Sequence, residues 1–192
     1  MNKIIKIIHA SIALSVPTLA SAGSSQEANS SETPSVRNAE ALSSNSVTSL
    51  SATADEKQRV LDIVRKYTRS VNEGDVRPEI IDELWEHSPD VSNINIRGHQ
   101  KGLEQIKSGF YAPLFDVLTD RNLRMVTDER EPAIYIFDNT AIVEFYWKID
   151  AKLKEGGKPI SGAGRETHVL RKTDNHWKLV HLHYSGMPVK GF

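Results

Sequence analysis

The sequence predicts an α+β fold, in which helices pack on one face of an antiparallel sheet. Apolar residues recur at helical spacing in the first half of the expected domain, and segments with period-two alternation follow them. Short polar turns join these later segments, as is usual between antiparallel strands. Helices first and hairpin-connected strands afterwards are typical of the α+β class.

Three helices are expected. Residues 53–56, Thr-Ala-Asp-Glu, form a capping box that predicts the start of the first helix, and Gly74 ends it. Pro78 fits the first turn of a short second helix. Residues 102–118 predict a third helix with a kink at Pro113. The apolar faces of the first two helices comprise Val60, Ile63, Val64, Tyr67 and Val71, then Ile80, Ile81, Leu84 and Trp85.

Six segments predict strands. They are residues 91–96, 123–128, 133–137, 140–153, 161–172 and 177–185. The connections between the later segments contain Asp, Asn and Gly, which favour tight turns. These turns fall at residues 138–139, 155–158 and 173–176.

Alternation in the longest predicted strand separates two faces. One face is apolar and is expected to meet the helices. The other face is amphipathic, which leaves room for a partner subunit. The first face carries Ala141, Val143, Phe145, Trp147 and Ile149, and the second carries Glu144, Tyr146, Lys148 and Asp150.

Residues 1–22 predict a secretory signal peptide. Lys3 and Lys6 precede an apolar stretch, and Ala20-Ser21-Ala22 is a small-x-small cleavage site. The stretch is shorter than the roughly 20 apolar residues that span a bilayer, and no second apolar run follows. We therefore expect a periplasmic or secreted protein with no membrane span. A buried amphipathic helix is the alternative interpretation of this segment.

A change of composition predicts a disordered, Ser-rich tether over residues 23–52. Ser, Asn, Thr, Glu and Ala dominate this segment, and it contains no aromatic residue. Such a composition buries too little apolar surface to offset the entropy of ordering the chain. Residues 53–192, about 140 in number, fit one domain with a core of its own.

The composition excludes several classes of function. The chain has no cysteine, which excludes disulfides and thiol nucleophiles and suits an oxidising compartment. The net charge is −1, which argues against nucleic acid as the main partner, since phosphate binding needs a basic excess. No G-x-S-x-G motif is present, which argues against a hydrolytic serine site.

An ungapped stretch near the C terminus carries a family resemblance. The shared residues are Glu166, Thr167, Val169, Asp174, Trp177, Val180, His181, His183, Ser185, Gly186 and Pro188. This stretch resembles the end of NTF2-like domains of the SnoaL-like group, and is similar to the association (hub) domain of calcium/calmodulin-dependent protein kinase II and its bacterial relatives. Residues 72–75, Asn-Glu-Gly-Asp, resemble a helix end in the same family.

The resemblance implies a cone-shaped fold, in which a curved antiparallel sheet wraps around N-terminal helices and encloses a pocket. Members commonly dimerise through the outer face of the sheet, and the kinase hubs build larger rings. Other members are isomerases, cyclases, dehydratases or binding proteins. The fold therefore does not decide the function.

Glu166 and His168 are the candidate catalytic residues. If Trp147 faces the helices, strand pairing places both on the same interior, where a carboxylate and an imidazole suit general acid–base chemistry. Glu166 equally fits a structural ion pair with an arginine, and the tryptophans fit ordinary core packing. The expected pocket residues are Tyr67, Trp85, Trp147, Leu170, Leu182 and Tyr184, of which the last two follow from the resemblance.

The chain departs from the kinase hubs in this pocket. The resemblance aligns hub arginines with Trp147, His168 and Tyr184, and none is present here. A carboxylate-binding pocket of that type is therefore not expected, and a flatter, less charged ligand is favoured. His181 and His183, with His176 nearby, lack further ligands at metal-binding spacing, so we expect no metal there and a structural or interface role instead.

Two functions from different classes remain open. One is an exported, non-enzymatic homo-oligomer with a pocket for a small apolar or aromatic ligand and no cofactor. The other is a small lyase or isomerase that uses His168 and Glu166 on an apolar, ring-containing substrate. An open cavity with both side chains in hydrogen-bond reach would favour the enzyme, and a filled interior would oppose it.

Overall fold

The computed structural model of the protein describes residues 39–128 and 130–187, with side chains from Thr53 onward. The predicted signal peptide and the first part of the predicted tether lie outside the described residues. Residues Asn45–Met187 form one compact unit. A second unit, Met1–Ser44 with Pro188–Phe192, is described only over residues 39–44.

The expected α+β order is confirmed. The helices are α1 (Ala39–Glu73), α2 (Glu79–Leu84), α3 (Leu103–Ile106) and α4 (Ala112–Val117), with a π-helical turn over Lys107–Tyr111. The strands are β1 (Ser92–Asn95), β2 (Gly98–Lys101), β3 (Leu118–Val126), β4 (Ala133–Phe137), β5 (Thr140–Leu153), β6 (Pro159–Thr173) and β7 (His176–Gly186). Within the described residues, no helix is both long and apolar enough to cross a membrane.

The helix start predicted at Thr53 is wrong. Helix α1 begins at Ala39, since neither Pro nor Gly interrupts residues 39–73. The Glu56 side chain binds the sheet and does not cap the helix. Its Oε1 accepts from Lys172 Nζ at 2.9 Å, and its Oε2 accepts from Trp177 Nε1 at 2.8 Å. The hydrogen bond from Lys172 holds the pKa of Glu56 below its usual value. These contacts fasten α1 to two strands.

One curved, unclosed sheet carries all seven strands. Its strand order is β2-β1-β7-β6-β5-β3. Strands β4 and β3 both pair with the same edge of β5, β4 with the first part of β5 and β3 with the later part. Every pairing is antiparallel except that of β1 with β7. The sequence did not predict β2, and it placed the start of β3 at residue 123 rather than at Leu118. Asp120 has a positive φ of 50° and lies where the register of β3 with β5 shifts. This irregularity also interrupts the alternation of apolar and polar residues from which a strand is predicted.

The predicted turns adopt the conformations that their residues favour. Asp174 and Asn175 both have positive φ, at 49° and 63°, and connect β6 to β7 in two residues. This is the conformation of the type I′ hairpin turn, whose twist matches the flanking strands. Pro113 is the second residue of α4, two residues after the end of the π-helical turn, where the regular helical hydrogen bonding is already interrupted.

The end of α1 is fixed by side chains of the family-like 72–75 segment. The Asn72 amide donates to the Leu123 carbonyl at 3.0 Å and accepts from the Leu123 N–H at 2.7 Å. The buried guanidinium of Arg121 donates to the carbonyls of Val71 and Asn72 and pairs with Asp75. The helix therefore meets β3 through satisfied polar contacts.

The core lies between the helices and the inner face of the sheet, in two clusters of buried side chains. The first consists of Tyr67, Val71, Ile81, Leu84, Trp85, Val91, Ile106, Phe110, Tyr111, Leu123, Leu179 and Leu182. The second consists of Val60, Val64, Ala141, Val143, Phe145, Leu170 and Trp177. The predicted apolar face of β5 therefore does face the helices.

Candidate functional site

A polar triad is buried in this apolar core. Glu166 and His168 are two residues apart on β6 and therefore share its inner face. The Glu166 carboxylate accepts from Tyr67 Oη at 2.8 Å and lies 3.2 Å from His168 Nε2. Burial is nearly complete, since the side chains of His168 and Glu166 are 0% and 2% exposed.

The hydrogen bonds assign the protons of the triad. A carboxylate only accepts, so the Tyr67 hydroxyl and His168 Nε2 both donate to Glu166. His168 Nδ1 has no hydrogen-bond partner. Burial, and secondarily the Glu166 carboxylate, raise the pKa of Tyr67 well above its usual value, so the phenol keeps its proton.

Aromatic rings enclose His168. The rings of Tyr67 and Phe145 each stand perpendicular to the imidazole, with centroids 4.8 Å away. A histidine oriented by a carboxylate can act as a general base through its other nitrogen. In this structure the imidazole is shielded from solvent, so such chemistry requires a substrate to enter the core.

A second polar chain runs beside the triad. Ser70 donates its hydroxyl proton to the Tyr67 carbonyl at 2.7 Å, so the 2.8 Å contact with Tyr111 is donated by Tyr111. The Tyr111 oxygen in turn accepts from Trp85 Nε1 at 3.3 Å. Burial raises the pKa of Tyr111 to about 12. The sequence analysis did not identify Ser70 or Tyr111, because the contacts of Tyr111 with Ser70 and Trp85 join segments that are distant in sequence.

The predicted pocket residues occupy three different places. Tyr67 on α1 and Trp85, directly after α2, are buried in the first core cluster. Leu170 and Leu182 are fully buried, in the second and first core cluster respectively. Trp147 and Tyr184 are half-buried and meet edge to face, with ring centroids 5.9 Å apart. Burial, and secondarily Glu166, raise the pKa of Tyr184 to about 12.

Asn93 is an inner-face residue that the sequence analysis missed. It is fully buried on β1, level with Leu182 on β7 and His168 on β6. Asn95 Nδ2 donates to Asn93 Oδ1 at 3.2 Å and to Gln100 Oε1 at 2.7 Å. Alternation within the predicted strand 91–96 places both asparagines on the inner face. They were missed because polar residues at alternate positions do not indicate a buried face.

The outer face of the sheet carries a groove of about 460 Å³. Its charged side chains include Glu144 on β5 and Arg165 on β6, which lie diagonally across the two strands. Arg165 Nε donates to Ser185 Oγ at 3.2 Å, and within the described residues neither charge has an ion-pair partner. On the same face, Tyr135 and Phe137 of β4 are 47% and 61% exposed.

His181 and His183 also lie on the outer face. Ser92 Oγ is 2.7 Å from His181 Nδ1. Burial, and secondarily His183, lower the pKa of His181. Across residues 39–128 and 130–187, no three His, Asp or Glu side chains converge so as to hold a metal ion.

Comparison with known proteins identifies the family. Residues 56–188 match the calcium/calmodulin dependent protein kinase II association domain. An NTF2-like superfamily protein from Salmonella enterica serovar Typhimurium LT2 is 32% identical over 72% of this chain and 96% of its own, with a TM-score of 0.66. No curated protein sequence matches the chain.

More distant structures share the fold. The CaMKII hub of S. rosetta is 24% identical over 68% of this chain and 95% of its own, with a TM-score of 0.54. A putative ketosteroid isomerase from Shewanella frigidimarina is 21% identical over 65% of this chain and 92% of its own, with a TM-score of 0.53. The chain thus has the NTF2-like fold and belongs to the calcium/calmodulin dependent protein kinase II association domain family.

Proposed function

We propose that the protein is an exported, homo-oligomeric association domain whose copies meet on the outer face of the sheet. The observation that carries this proposal is the outer groove, in which Glu144 and Arg165 have opposite charges and no ion-pair partner among the described residues. The family name describes association, and a S. rosetta hub shares the fold.

The groove suits a second copy of the same chain. In a two-fold symmetric interface each residue of a patch meets a residue of the same patch on the other copy. Glu144 of one copy can then pair with Arg165 of the other, and the reciprocal pair forms as well. Exposed Tyr135 and Phe137 supply apolar area beside these charges, and aromatic residues are enriched in interface cores.

Charge reversal tests this interface. We expect Glu144→Arg and Arg165→Glu each to weaken self-association at least about tenfold, because like charges then face each other across the symmetry axis. An equimolar mixture of the two variants should assemble again, since each of its interfaces brings opposite charges together. Size-exclusion chromatography with light scattering measures both effects.

Glu155→Arg, at the exposed β5–β6 turn, is the control for added charge and should associate as the unaltered chain does. A monomeric unaltered chain would contradict the proposal outright. Association that survives both reversals would place the interface elsewhere.

Export is the second part of the proposal and is supported by residues 1–22. When the chain is expressed from Met1 in a bacterium, we expect the product in the periplasm or the medium to begin at Gly23. Mass spectrometry of the fractionated protein measures its N terminus. An uncleaved product that stays in the cytoplasm would refute export.

A small-molecule pocket inside the curved sheet is a second candidate function. It is favoured by buried polar atoms of Asn93, Trp147 and His168 that lack hydrogen-bond partners. Unsatisfied buried polar atoms are costly, so they suggest a partner that completes them. The lyase or isomerase alternative would use the same interior, with His168 Nδ1 as the general base.

A further inference from the structure

A histidine lies in the outer groove beside the two charges of the proposed interface. His183 on β7 lines this groove together with Arg165 on β6 and Glu144 on β5. Strand register places Thr167 between His183 and Glu144, so these three residues form one row across the sheet. Arg165 is two residues before Thr167 on β6 and therefore lies on the same face, in the adjacent row. A second copy that covers this groove also covers the imidazole.

His183 differs from His181, which is two residues away on the same face of β7. His183 is exposed, and among the described residues its imidazole makes no hydrogen bond. His181 is half-buried, its Nδ1 lies 2.7 Å from Ser92 Oγ, and burial lowers its pKa. Of the two histidines only His183 lines the groove. Its charge is therefore the one that matters for contact in the groove.

The charges of the groove balance while His183 is neutral. Two arginines and two glutamates line it, namely Arg130, Arg165, Glu131 and Glu144. Glu166 also borders the groove, but its carboxylate is buried in the core, where it accepts from Tyr67. Protonation of His183 thus adds a positive charge that no further carboxylate of the groove offsets.

The strands beside the groove do not offset this charge either. On one side, β1 presents the uncharged Ser92 and Ile94 on the outer face, and β2 presents His99 and Lys101 in register with them. On the other side, the outer residues of β4 are uncharged and comprise Ala133, Tyr135 and Phe137. Acidification therefore makes this region of the sheet more positive.

A two-fold interface doubles the added charge. Each copy presents the same groove to the other, so two protonated imidazoles enter one interface. The contact removes them from water, and a buried charge without a counter-charge is unfavourable. Association is then coupled to loss of the proton from His183, and such coupling weakens association as the pH falls.

We infer that self-association through the outer groove is controlled by the protonation of His183. Copies associate while this imidazole is neutral, and they separate when it becomes charged. Histidine changes its charge between pH 5 and 8, so the control operates in mildly acidic solution. This inference rests on the proposed outer-face interface and names its regulation.

Sedimentation velocity at pH 7.5 and pH 5.5 tests the inference. A concentration series of the full chain, in buffers of equal ionic strength, gives the dissociation constant at each pH. We expect this constant to be at least about tenfold higher at pH 5.5, because each interface contains two imidazoles that become charged over this range. Far-UV circular dichroism at both pH values checks that the chain stays folded.

Two pairs of histidine variants identify the titrating group. His176 is the matched control, because it is exposed on the same strand but lies at the β6–β7 turn, outside the groove. The two dissociation constants of His183→Gln should differ by less than about twofold, whereas His176→Gln should keep the full effect of pH. His183→Arg carries a permanent charge and should associate at least about tenfold more weakly at pH 7.5 than His176→Arg.

The outcomes separate the interface from its control by protons. A chain that is monomeric at both pH values overturns the interface and the inference together. Equal association at both pH values leaves the interface standing and overturns the inference. A pH effect that persists in His183→Gln also overturns it, since another group then titrates. If the chain unfolds at pH 5.5, equal association of the two arginine variants at pH 7.5 overturns the inference.

Discussion

Replacing Gly164 with alanine is expected to lower the free energy of unfolding by about 3 kcal/mol, the upper range for overpacking a core. A Cβ at this position would overlap the carbonyl oxygen of Ser185 and lie 2.5 Å from Cζ2 of Trp147. The oxygen belongs to the neighbouring strand β7, whose pairing with β6 prevents it from moving away. The indole would have to leave its place over the strand.

Gly186→Ala is the matched control. Gly186 is the register partner of Gly164, and among the described residues a Cβ there would meet nothing within 4 Å. Its free energy of unfolding should change by less than about 0.5 kcal/mol. Urea denaturation followed by circular dichroism compares the two variants, and equal stabilities would mean that Trp147 does not lie against β6.

Replacing Glu166 with alanine is expected to lower the free energy of unfolding by about 4 kcal/mol, because two buried donors lose their acceptor at about 1–3 kcal/mol each. The carboxylate is the common acceptor of the Tyr67 hydroxyl and the His168 Nε2–H. Its loss leaves both donors without a partner and creates a cavity between them. Chemical denaturation at pH 7 measures the change.

Two further variants provide comparisons for the stability loss of Glu166→Ala. Tyr67→Phe removes one donor and keeps the acceptor, so it should cost about 1–3 kcal/mol. Glu155→Ala, at an exposed turn, should stay within about 0.5 kcal/mol of the unaltered chain. The cost of combining Tyr67→Phe with Glu166→Ala should be less than the sum of the single costs, since both remove the same hydrogen bond. A cost below 1 kcal/mol for Glu166→Ala would show that the carboxylate is not buried and paired.

Much of the sheet was predictable because alternation is a local property. The inward positions of Val143 and Phe145 follow from period two alone, and so does the shared inner face of Glu166 and His168. The turn between β6 and β7 follows from Asp174 and Asn175, which tolerate positive φ.

Long-range contacts and the choice of helix start were not predictable in this way. The bond between Tyr67 and Glu166 joins residues 99 positions apart, and no local pattern reports it. A capping box at Thr53 is compatible with a helix start but does not enforce one when no Pro or Gly separates it from the residues before it. The inward asparagines of β1 were missed because polar residues do not identify an inner face.

The place of β7 in the sheet has a consequence for how the protein acquires its structure. This strand is the last of the described strands along the chain, yet it lies between β1 and β6. The β1–β2 hairpin therefore has no pairing with the rest of the sheet until β7 has been synthesised. Folding that depends on such distant pairing is slow, so the sheet of a newly made chain stays incomplete until the last of its described strands is available.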